Sequence, residues 1–378
     1  MKIVVLGAGL VGSPMAIDLA KDENFDVLVA DKNASALKKL EQNYGIKTIK
    51  KDLRSENNVS EIISDADYVI NAVPGFMGYE TLQTIIKNGK DVVDISFFAE
   101  DPFQLDKLAK EKGVIAIMDC GVAPGMSNIL TGYVHNILDK TELALTYVGG
   151  LPEKREWPYE YKAVFSPIDV IEEYTRPARI VENGELVIRP ALSEPELLNF
   201  PQIGTLEAFN SDGLRSLAKT IDCPNMKEKT LRYMGHIDKM KVLRDTGFFS
   251  YDEIEVNGKM IKPIDLTTRL LFPKWKLEEG EVDITVMQII VEGIKAGKKL
   301  RYVYDLYDKY NEKSKIHSMA RTTGYTATMA VRMLAKGLYK DVGLSVPEYI
   351  GKYPNCVEFL LSGLRERGVV YKETIEEK

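Results

Sequence analysis

Three glycines near the amino terminus have the spacing of a phosphate-binding turn. Gly7, Gly9 and Gly12 belong to the motif GAGLVG, which follows a short apolar run and precedes a helical pattern. In such a turn the first glycine allows the sharp bend, the second lets a diphosphate approach the backbone, and the third lets helix and strand pack closely. N–H groups at the helix start, around Leu10 and Val11, would bind the anion. Glycine-rich corners can also be purely structural, but this position favours a dinucleotide site.

An acidic residue ends the second apolar run. Asp31 lies about 20 residues after the last glycine, where a carboxylate can accept hydrogen bonds from both hydroxyls of an adenosine ribose. Because a carboxylate there repels a 2′-phosphate, the sequence favours NAD over NADP as cofactor, and the neighbouring Lys32 offsets this only in part. The alternative is a solvated Asp in a turn. Asp52, after the third run, could contact the adenine or lie on the surface.

Two later segments are expected at the carboxyl edge of the same sheet. Asn71, Val73 and Pro74 follow the fourth candidate strand, and Ser96 follows the fifth. Ligands bind outside the carboxyl ends of the strands in open parallel sheets, so these residues are candidate cofactor contacts. Ordinary turn chemistry is the equal alternative.

The elements that carry these residues alternate as in a parallel sheet covered by helices. Residues 79–88 have the apolar spacing of a crossover helix and stop at Gly89. We therefore predict an α/β fold with a doubly wound Rossmann-type parallel sheet for residues 1–120. The six candidate strands are residues 2–6, 26–30, 46–50, 68–72, 91–95 and 114–118.

Beyond residue 120 proline and glycine become frequent, and the strict alternation ends. Residues 283–291 and 299–307 are typical of two long strands joined by several residues, and residues 320–338 predict a long buried helix. We predict a second α+β domain with a mixed or antiparallel sheet over residues 121–319.

Composition excludes several classes of protein. The chain has 378 residues, which suggests two domains, and its 45% apolar and 28% charged residues are ordinary for a globular protein. A formal net charge of −6 argues against nucleic acid as the main partner. No apolar run approaches the roughly 20 residues of a membrane helix. The three scattered cysteines indicate a reducing compartment, the cytoplasm, and no cysteine or histidine spacing predicts a metal site.

Three long motifs resemble the saccharopine dehydrogenase superfamily. They are residues 119–130 (DCGVAPGMSNIL), 206–215 (LEAFNSDGLR) and 229–241 (KTLRYMGHIDKMK). Together with the YVGG segment at 147–150, their order is most similar to that of L-lysine 6-dehydrogenases. Residues 212–215 depart from that pattern, which has smaller polar residues in place of this acid and arginine.

The resemblance implies a Rossmann domain completed by C-terminal helices within 320–378 and a second domain that helps to form a homodimer or higher homo-oligomer. It also implies an amino-acid or amine substrate bound between the domains. The implied reaction is NAD-dependent oxidation of the lysine side-chain amine to the 6-semialdehyde, which cyclises. Two alternatives stay open: oxidation of a secondary amine, as in saccharopine or carboxynorspermidine dehydrogenases, and a non-catalytic NAD-binding regulator.

Oxidation of an amine needs a proton acceptor. His236 is the preferred candidate because imidazole titrates near neutral pH, although a structural histidine fits the sequence equally well. Asp119 is the second candidate, since it could accept a proton or bind the substrate ammonium. Its alternative role is to cap the following helix.

The substrate carboxylate needs a cation or N–H donors. Arg215 and Arg232 are candidate clamps because guanidinium matches a carboxylate in a bidentate way, although either could instead form a salt bridge within the protein. Asp212 would bind the ammonium or belong to a Ser-Asp-Gly turn. N–H groups near Gly125, at the start of the next helix, could hold an anion.

Overall fold

The chain forms two compact units in the computed structural model, which describes residues 1–278 and 280–378. Unit 1 comprises Met1–Ile137 and Met319–Val370, and unit 2 comprises Leu138–Ser318 and Tyr371–Lys378. Within the described ranges, no helix combines the length and the apolar character needed to cross a membrane.

Unit 1 is built on a parallel sheet of seven strands in the order β17-β6-β5-β4-β1-β2-β3. This confirms the predicted α/β fold, and each of the six predicted strands agrees with the structure to within one residue at either end. The sequence analysis missed the seventh strand, which comes from the C-terminal segment and pairs with β6. The strands are β1 (Lys2–Leu6), β2 (Asp26–Asp31), β3 (Lys47–Lys50), β4 (Tyr68–Asn71), β5 (Asp91–Asp94), β6 (Ile115–Ile117) and β17 (Gly343–Ser345).

Helices cover this sheet and bury its apolar side chains. Val4, Leu6 and Val69 of the sheet form a core with Leu82 and Ile85 of the crossover helix. The helices are α1 (Gly12–Leu19), α2 (Ala34–Tyr44), α3 (Glu56–Ile63), α4 (Gly75–Lys87), α5 (Asp106–Lys112), α6 (Met126–Ile137), α11 (Ser318–Ala335), α12 (Pro347–Ile350) and α13 (Pro354–Glu366), with a 3₁₀ turn at Pro102–Leu105.

Helix α6 belongs to unit 1, so the first segment of this unit extends past residue 120. Close backbone contacts explain why. A Cβ on Gly132 would lie 2.4 Å from the carbonyl oxygen of Glu348, and one on Gly351 would lie 2.4 Å from the amide of Tyr133. The two small residues let α6 pack directly against α12.

A buried ion cluster joins α1 to the C-terminal helices of unit 1. Asp18, which is 2% exposed, accepts from Nη1 of Arg332 at 2.8 Å and from Nε of Arg367 at 2.9 Å. The hydroxyl of Thr328 donates to the same carboxylate at 2.7 Å. The helix that follows the glycine motif is therefore held in place by residues more than 300 positions away in the sequence.

Unit 2 contains a mixed sheet of nine strands, as predicted for the second domain. Its main path is β10-β11-β12-β7-β15-β16-β18, while β8 pairs with β12 and β9. Among the described strands of this sheet, only β12 and β7 are parallel neighbours. The strands are β7 (Lys140–Pro152), β8 (Ala178–Glu182), β9 (Glu185–Arg189), β10 (Glu196–Phe200), β11 (Gly204–Asn210), β12 (Met226–Tyr233), β15 (Asp283–Lys295), β16 (Lys298–Lys309) and β18 (Tyr371–Glu377).

The strands β15 and β16 are longer than the sequence suggested. β15 and β16 stay paired up to Lys295 and Lys298, so two residues join them and not several. Ala296 and Gly297 have φ values of 50° and 78°, which is the left-handed geometry of a tight hairpin turn.

The remaining elements of unit 2 enclose an aromatic core. Tyr161, Tyr174, Phe209 and Trp275 are buried together beside Ile237. These elements are α7 (Pro167–Thr175), α8 (Leu217–Thr220), α9 (His236–Asp245), α10 (Pro263–Trp275) and a separate hairpin of β13 (Ile254–Val256) and β14 (Lys259–Ile261).

Candidate active site

The three glycines of the motif have three different surroundings. Gly7 has a φ of 114°, and a Cβ there would lie 2.5 Å from the carbonyl oxygen of Ala72. A Cβ on Gly12 would lie 2.1 Å from the carbonyl oxygen of Gly7. Around Gly9 nothing lies within 4 Å of the Cβ position, and the residue is exposed. Gly7 and Gly12 therefore close the turn, while Gly9 leaves open space above it.

Backbone donors border this open space. In the described part of the chain, the N–H groups of Leu10, Val11 and Gly12 have no hydrogen-bond partner, and the first bond of the turn runs from Ser13 to Gly9 at 3.2 Å. These groups lie at the start of α1, whose dipole favours an anion at this end. The side chain of Leu10 is 54% exposed. The turn thus fits the diphosphate of a dinucleotide in both shape and charge.

Asp31 lies next to this turn, at the end of β2. Its Oδ2 accepts from the amide of Ala8 at 2.6 Å, and its Oδ1 accepts from the amide of Asn33 at 2.8 Å. The carboxylate is therefore fixed beside the glycine turn, where the ribose next to a bound diphosphate would lie.

The carboxylate of Asp52 is partly exposed and is paired with Arg54. The side chain and the backbone amide of Arg54 both donate to its carboxylate, and these bonds lower the pKa of Asp52 to about 2. No contact in the described residues connects Asp52 to the glycine turn. The structure thus offers no support for an adenine contact from this side chain.

Asn71 and Ser96 do lie at the carboxyl ends of β4 and β5, but their side chains are buried. Both bind the carboxylate of Asp94: Oγ of Ser96 donates to it at 2.7 Å and its amide at 2.8 Å, while Nδ2 of Asn71 donates to the other oxygen. Nδ2 of Asn71 also donates to the carbonyl of Gly78 at 3.2 Å. We refer to Asn71, Asp94 and Ser96 as the edge network. The side chains of Asn71 and Ser96 are therefore buried at the carboxyl edge of the sheet, where they bind Asp94. Pro74 is exposed at the same edge, and Val73 is buried.

Burial raises the pKa of Asp94 to about 7, above its ordinary value of 3.8, although the bonds from Ser96 and Asn71 act in the opposite direction. Between these two pH values the folded protein holds a proton that the unfolded chain has lost. The free energy of unfolding should therefore fall as the pH rises through this window.

We expect the substitution Asp94→Asn to remove this part of the pH dependence, because an amide does not titrate. The measurement is the midpoint of thermal unfolding at a series of pH values from 4 to 8 for both proteins. Asp26→Asn, at an exposed carboxylate paired with Lys47, serves as the control. An unchanged pH profile in Asp94→Asn would show that Asp94 does not titrate in this range.

The segment after β6 places Asp119 in the interior. Asp119 is 2% exposed and has a φ of 50°. Helix α6 begins only at Met126, so Asp119 does not stand directly before its first turn. Asp119 stays a candidate for contact with the substrate because it follows the carboxyl end of β6 by two residues.

Gly125 does not present N–H groups to a ligand in the way expected from the sequence. Its φ is 138°, and a Cβ there would lie 1.9 Å from the carbonyl oxygen of Gly121. The amide of Gly125 donates to Asn128, that of Met126 to Gly121 at 2.9 Å, and that of Ser127 to Val122 at 3.0 Å. The first donors of α6 are thus satisfied within the loop, and the glycine serves a close backbone contact.

In unit 2, Arg232 lies at the centre of the aromatic core. It is 2% exposed, and its guanidinium lies 4.5 Å from the ring centre of Tyr161. Nε donates to the hydroxyl of Tyr174 at 3.1 Å, Nη1 to the carbonyl of its neighbour Leu231 at 3.0 Å, and Nη2 to Glu173 at 2.6 Å. All three nitrogens thus bind protein groups. The charge of Arg232 is thus already paired with the carboxylate of Glu173.

His236 is part of the same hydrogen-bonded chain. Its Nε2 faces the hydroxyl of Tyr174 at 3.0 Å, and its Nδ1 faces the carbonyl oxygen of Tyr159 at 2.8 Å. Since Arg232 donates to Tyr174, the tyrosine hydroxyl donates to Nε2, and Nδ1 of a neutral imidazole donates to Tyr159. Burial, followed by the charge of Arg232, lowers the pKa of His236 to about 3. These contacts favour a neutral structural histidine, so we do not retain it as the proton acceptor.

Asp212 and Arg215 follow β11. Asp212 binds Arg179 in a bidentate way, with both N···O distances at 2.8 Å. Its carboxylate is therefore already paired with a cation within the protein. Arg215 is 7% exposed and has a φ of 50°, and it stays a proposed carboxylate ligand.

Sequence reasoning missed Asp94, Glu173 and Tyr174. An acid at the end of the apolar strand VVD was a usable signal for Asp94. Nothing in the local sequence marks Glu173 or Tyr174, since their partner Arg232 is almost 60 residues away. Burial, with the charges of Asp119 and Asp94, raises the pKa of the Cys120 thiol to about 12, so this thiol stays protonated near neutral pH. Within the described ranges no cluster of three or more His, Cys, Asp or Glu residues could hold a metal ion.

Comparison with known proteins agrees with this arrangement. Residues 3–117 match the family described as "Saccharopine dehydrogenase NADP binding domain", and residues 121–369 match "Saccharopine dehydrogenase C-terminal domain". The carboxyaminopropylagmatine dehydrogenase of Synechocystis sp. is 24% identical over 401 residues, which cover 99% of this chain and 98% of that protein. The NADP⁺-dependent, L-glutamate-forming saccharopine dehydrogenase of Saccharomyces cerevisiae is 24% identical over 272 residues, 68% of this chain and 61% of that protein.

Among solved structures, the apo form of saccharopine dehydrogenase (L-Glu forming) from Saccharomyces cerevisiae has the same fold. The TM-score is 0.80 at 19% sequence identity, and the match covers 99% of both chains. The two family matches together account for nearly the whole sequence. The chain therefore belongs to the saccharopine dehydrogenase family and is an oxidoreductase that uses a nicotinamide cofactor.

Proposed function

We propose that the chain oxidises, or in reverse forms, a secondary amine that joins an amino-acid carbon chain to a second amine. The observation that carries this proposal is the similarity to carboxyaminopropylagmatine dehydrogenase, which extends over almost the full length of both proteins. Saccharopine dehydrogenases, which act on a secondary amine joining two amino acids, are also among the relatives. We therefore propose oxidation of a secondary amine, the alternative given in the sequence analysis, in place of the lysine 6-dehydrogenase activity.

The reaction removes two electrons from a carbon–nitrogen bond. A secondary amine R–CH₂–NH–R′ loses a hydride from the carbon and a proton from the nitrogen, which gives an imine. Water then adds to the imine carbon, and the C–N bond breaks to release an aldehyde and the primary amine H₂N–R′. A nicotinamide cofactor held at the turn around Gly9 would supply the acceptor for this hydride. The site must admit one water molecule, and it must accept the proton.

This chain's own residues have three tasks in that reaction. The turn around Gly9 and the N–H groups before α1 hold the diphosphate, while Asp31 orients the adenosine ribose. We propose Asp119 as a group that binds the substrate nitrogen or its proton, since it lies just beyond the carboxyl end of β6. Arg215 is the proposed ligand of the amino-acid carboxylate. Arg232 can share that role if the substrate carboxylate displaces Glu173.

Substrate choice can be tested with the purified protein and a small panel of amines. Carboxyaminopropylagmatine, saccharopine and L-lysine are each mixed with NAD or NADP, and reduced nicotinamide is followed by absorbance. We expect turnover with a secondary amine and none with lysine. Turnover of lysine alone would restore the lysine 6-dehydrogenase hypothesis. Binding of the cofactor without turnover of any amine in the panel would contradict the proposal.

We also propose that NAD is preferred over NADP, although the matching family is described by its NADP binding domain. The support is the carboxylate of Asp31, which two backbone amides fix beside the glycine turn. A 2′-phosphate placed there would meet a negative charge.

The substitution Asp31→Ser should shift the cofactor preference towards NADP by at least about tenfold, which corresponds to about 1.4 kcal/mol. The measurement is the ratio of dissociation constants for NADH and NADPH, followed by their fluorescence on binding. Asp26→Ser, at the opposite end of β2 from Asp31, is the matched control and should leave the ratio unchanged. An equal loss of affinity for both cofactors in Asp31→Ser would indicate damage to the turn and not a change in discrimination.

A further inference from the structure

One carboxylate in the middle of strand β11 has no partner within the protein. Among the described residues, Oε2 of Glu207 is the one carboxylate oxygen that is buried without a hydrogen-bond partner. A buried polar atom of this kind costs free energy unless some group binds it. The missing donor is therefore expected to come from a molecule that binds to the folded chain.

The sheet of unit 2 places Glu207 on the face that carries the aromatic core. Side chains of alternate residues in a strand point to opposite faces, so Glu207 and Phe209 share one face. Phe209 belongs to the aromatic core with Tyr161 and Tyr174. In the pairing of β11 with β12, Glu207 is directly opposite Arg232, whose guanidinium lies in the same core. The carboxylate of Glu207 therefore borders this core.

The arginine opposite Glu207 is already paired with another acid. Nη2 of Arg232 donates to Glu173 at 2.6 Å. No ion pair joins Arg232 to Glu207 in the part of the chain that the structure describes. Residues that face each other in an antiparallel pair have Cβ atoms about 5 Å apart, so the two side chains start close together and the arginine turns to the other acid. The charge of Glu207 is thus left without a cation from the protein.

On its other side Glu207 faces an exposed apolar residue. In the pairing of β10 with β11, Leu197 is directly opposite Glu207, and the Leu197 side chain is 62% exposed. Glu207 itself is partly buried. A carboxylate without a partner, beside an apolar side chain that solvent reaches, fits an aliphatic chain that ends in a cationic nitrogen. We refer to Glu207 and Leu197 as the cation site.

We propose that Glu207 binds an ammonium or guanidinium group at the end of the substrate that does not react, while Leu197 contacts the aliphatic chain that carries this group. A nitrogen cation donates charge-assisted hydrogen bonds to a carboxylate, and these are stronger than neutral ones. The inference rests on the proposed function in one respect, since it takes the substrate to be an amine with a second cationic nitrogen. Glu207 has no part in the transfer of hydride or proton, and its role is to determine substrate specificity.

Binding at the cation site can be measured without turnover. The purified protein is heated with pentylamine, pentylguanidine, L-norleucine, valerate or 1-pentanol, which have similar aliphatic chains and different polar ends. We expect at least one of the three compounds that carry a nitrogen cation to raise the midpoint of thermal unfolding by about 1 °C or more, because a ligand that binds only the folded state stabilises it. Valerate and 1-pentanol should have no effect. The compound that acts shows whether the group is an ammonium, a guanidinium or the head of an α-amino acid.

The substitution Glu207→Gln removes the charge and keeps the size of the side chain. Because the carboxylate has no partner in the free protein, we expect the unfolding midpoint without ligand to stay the same or to rise. The shift produced by the nitrogen cation should disappear. The KM of an amine that is turned over should rise at least about tenfold, with kcat and the dissociation constant of NADH unchanged. Glu207→Asp, which keeps the charge, should retain part of the shift.

Glu185→Gln is the matched control. Glu185 belongs to the same sheet, in β9, and its exposed side chain has no ion pair within residues 1–278 and 280–378. The change removes the same charge from a position where water already solvates it. We expect the ligand-induced shift and the KM to equal those of the wild type.

Three results would overturn the proposal. The first is the absence of a shift with all three nitrogen cations. The second is a shift that persists in Glu207→Gln. The third is a lower unfolding midpoint of Glu207→Gln without ligand, which would show that the carboxylate stabilises the fold itself.

The proposed function is judged separately, from turnover of the amine panel. A shift that depends on Glu207, in a protein that turns over none of these amines, would contradict the proposed function and support the cation site. Turnover of a secondary amine by Glu207→Gln with an unchanged KM would support the proposed function and exclude the cation site.

Discussion

Replacement of Gly9 by valine is expected to weaken dinucleotide binding by at least about tenfold while leaving the stability of the fold unchanged. No atom lies within 4 Å of the Cβ position of Gly9, and its φ is outside the left-handed region, so the side chain can be accommodated without strain. The added methyl groups would occupy the space in which a diphosphate approaches the N–H groups before α1. The measurement is the dissociation constant for NADH, from fluorescence, together with the midpoint of thermal unfolding.

Gly12→Val is the contrasting variant. Its Cβ would lie 2.1 Å from the carbonyl oxygen of Gly7, so this change should lower the unfolding midpoint as well as the affinity. A Gly9→Val protein that binds NADH as tightly as the wild type would show that the diphosphate does not lie over this turn. A parallel loss of stability in Gly9→Val would mean that the open space is filled in solution by another part of the protein.

The second large effect is expected at Asp18. The substitution Asp18→Ala removes the only carboxylate bonded to both Arg332 and Arg367 in the described residues, and so leaves two partly buried guanidinium groups facing each other. Breaking a buried ion pair by removal of one partner typically costs about 3–5 kcal/mol, because the remaining charge is uncompensated. We expect a loss of this size in the free energy of unfolding, measured by urea titration.

Asp26→Ala provides the matched control for this prediction. Asp26 also lies in unit 1 and contacts a cation, Lys47, at 2.7 Å, but both side chains are more than half exposed. Exposed ion pairs contribute about 1 kcal/mol or less. Equal effects of the two substitutions would contradict the view that burial of the Asp18 cluster makes it important.

The parallel sheet could be predicted from the sequence because its signal is local. Each strand is a short apolar run, and the glycine motif fixes the first strand–turn–helix unit. The seventh strand, β17, escaped prediction since it has only three residues and is recognisable as a strand only through its pairing with β6. The turn between β15 and β16 was predicted too long because β16 begins with the exposed residues Lys298 and Lys299, and because β15 continues through Gly293, a residue that is not typical of a strand.

The candidate site could be predicted less well, for a physical reason. The sequence shows which functional group a residue carries. Whether that group can bind a substrate depends on the protein groups that it already binds in the folded structure. Arg232, Asp212 and His236 all have suitable side chains, yet each binds groups that approach from distant segments: Glu173, Arg179 and Tyr159. The role of Gly9 was predictable, because it depends on the absence of a side chain within one local turn.

The pairing of β17 with β6 has a consequence for how the polypeptide acquires its shape during synthesis. When the ribosome has made the first six strands of unit 1, the outer edge of β6 is still unpaired. The arginines that bind Asp18 have not yet been synthesised. About 200 further residues must emerge before that flank is covered, and a bare strand flank invites association with other nascent chains. Expression of the segment up to β6 by itself should therefore give an incompletely folded product that is prone to aggregation.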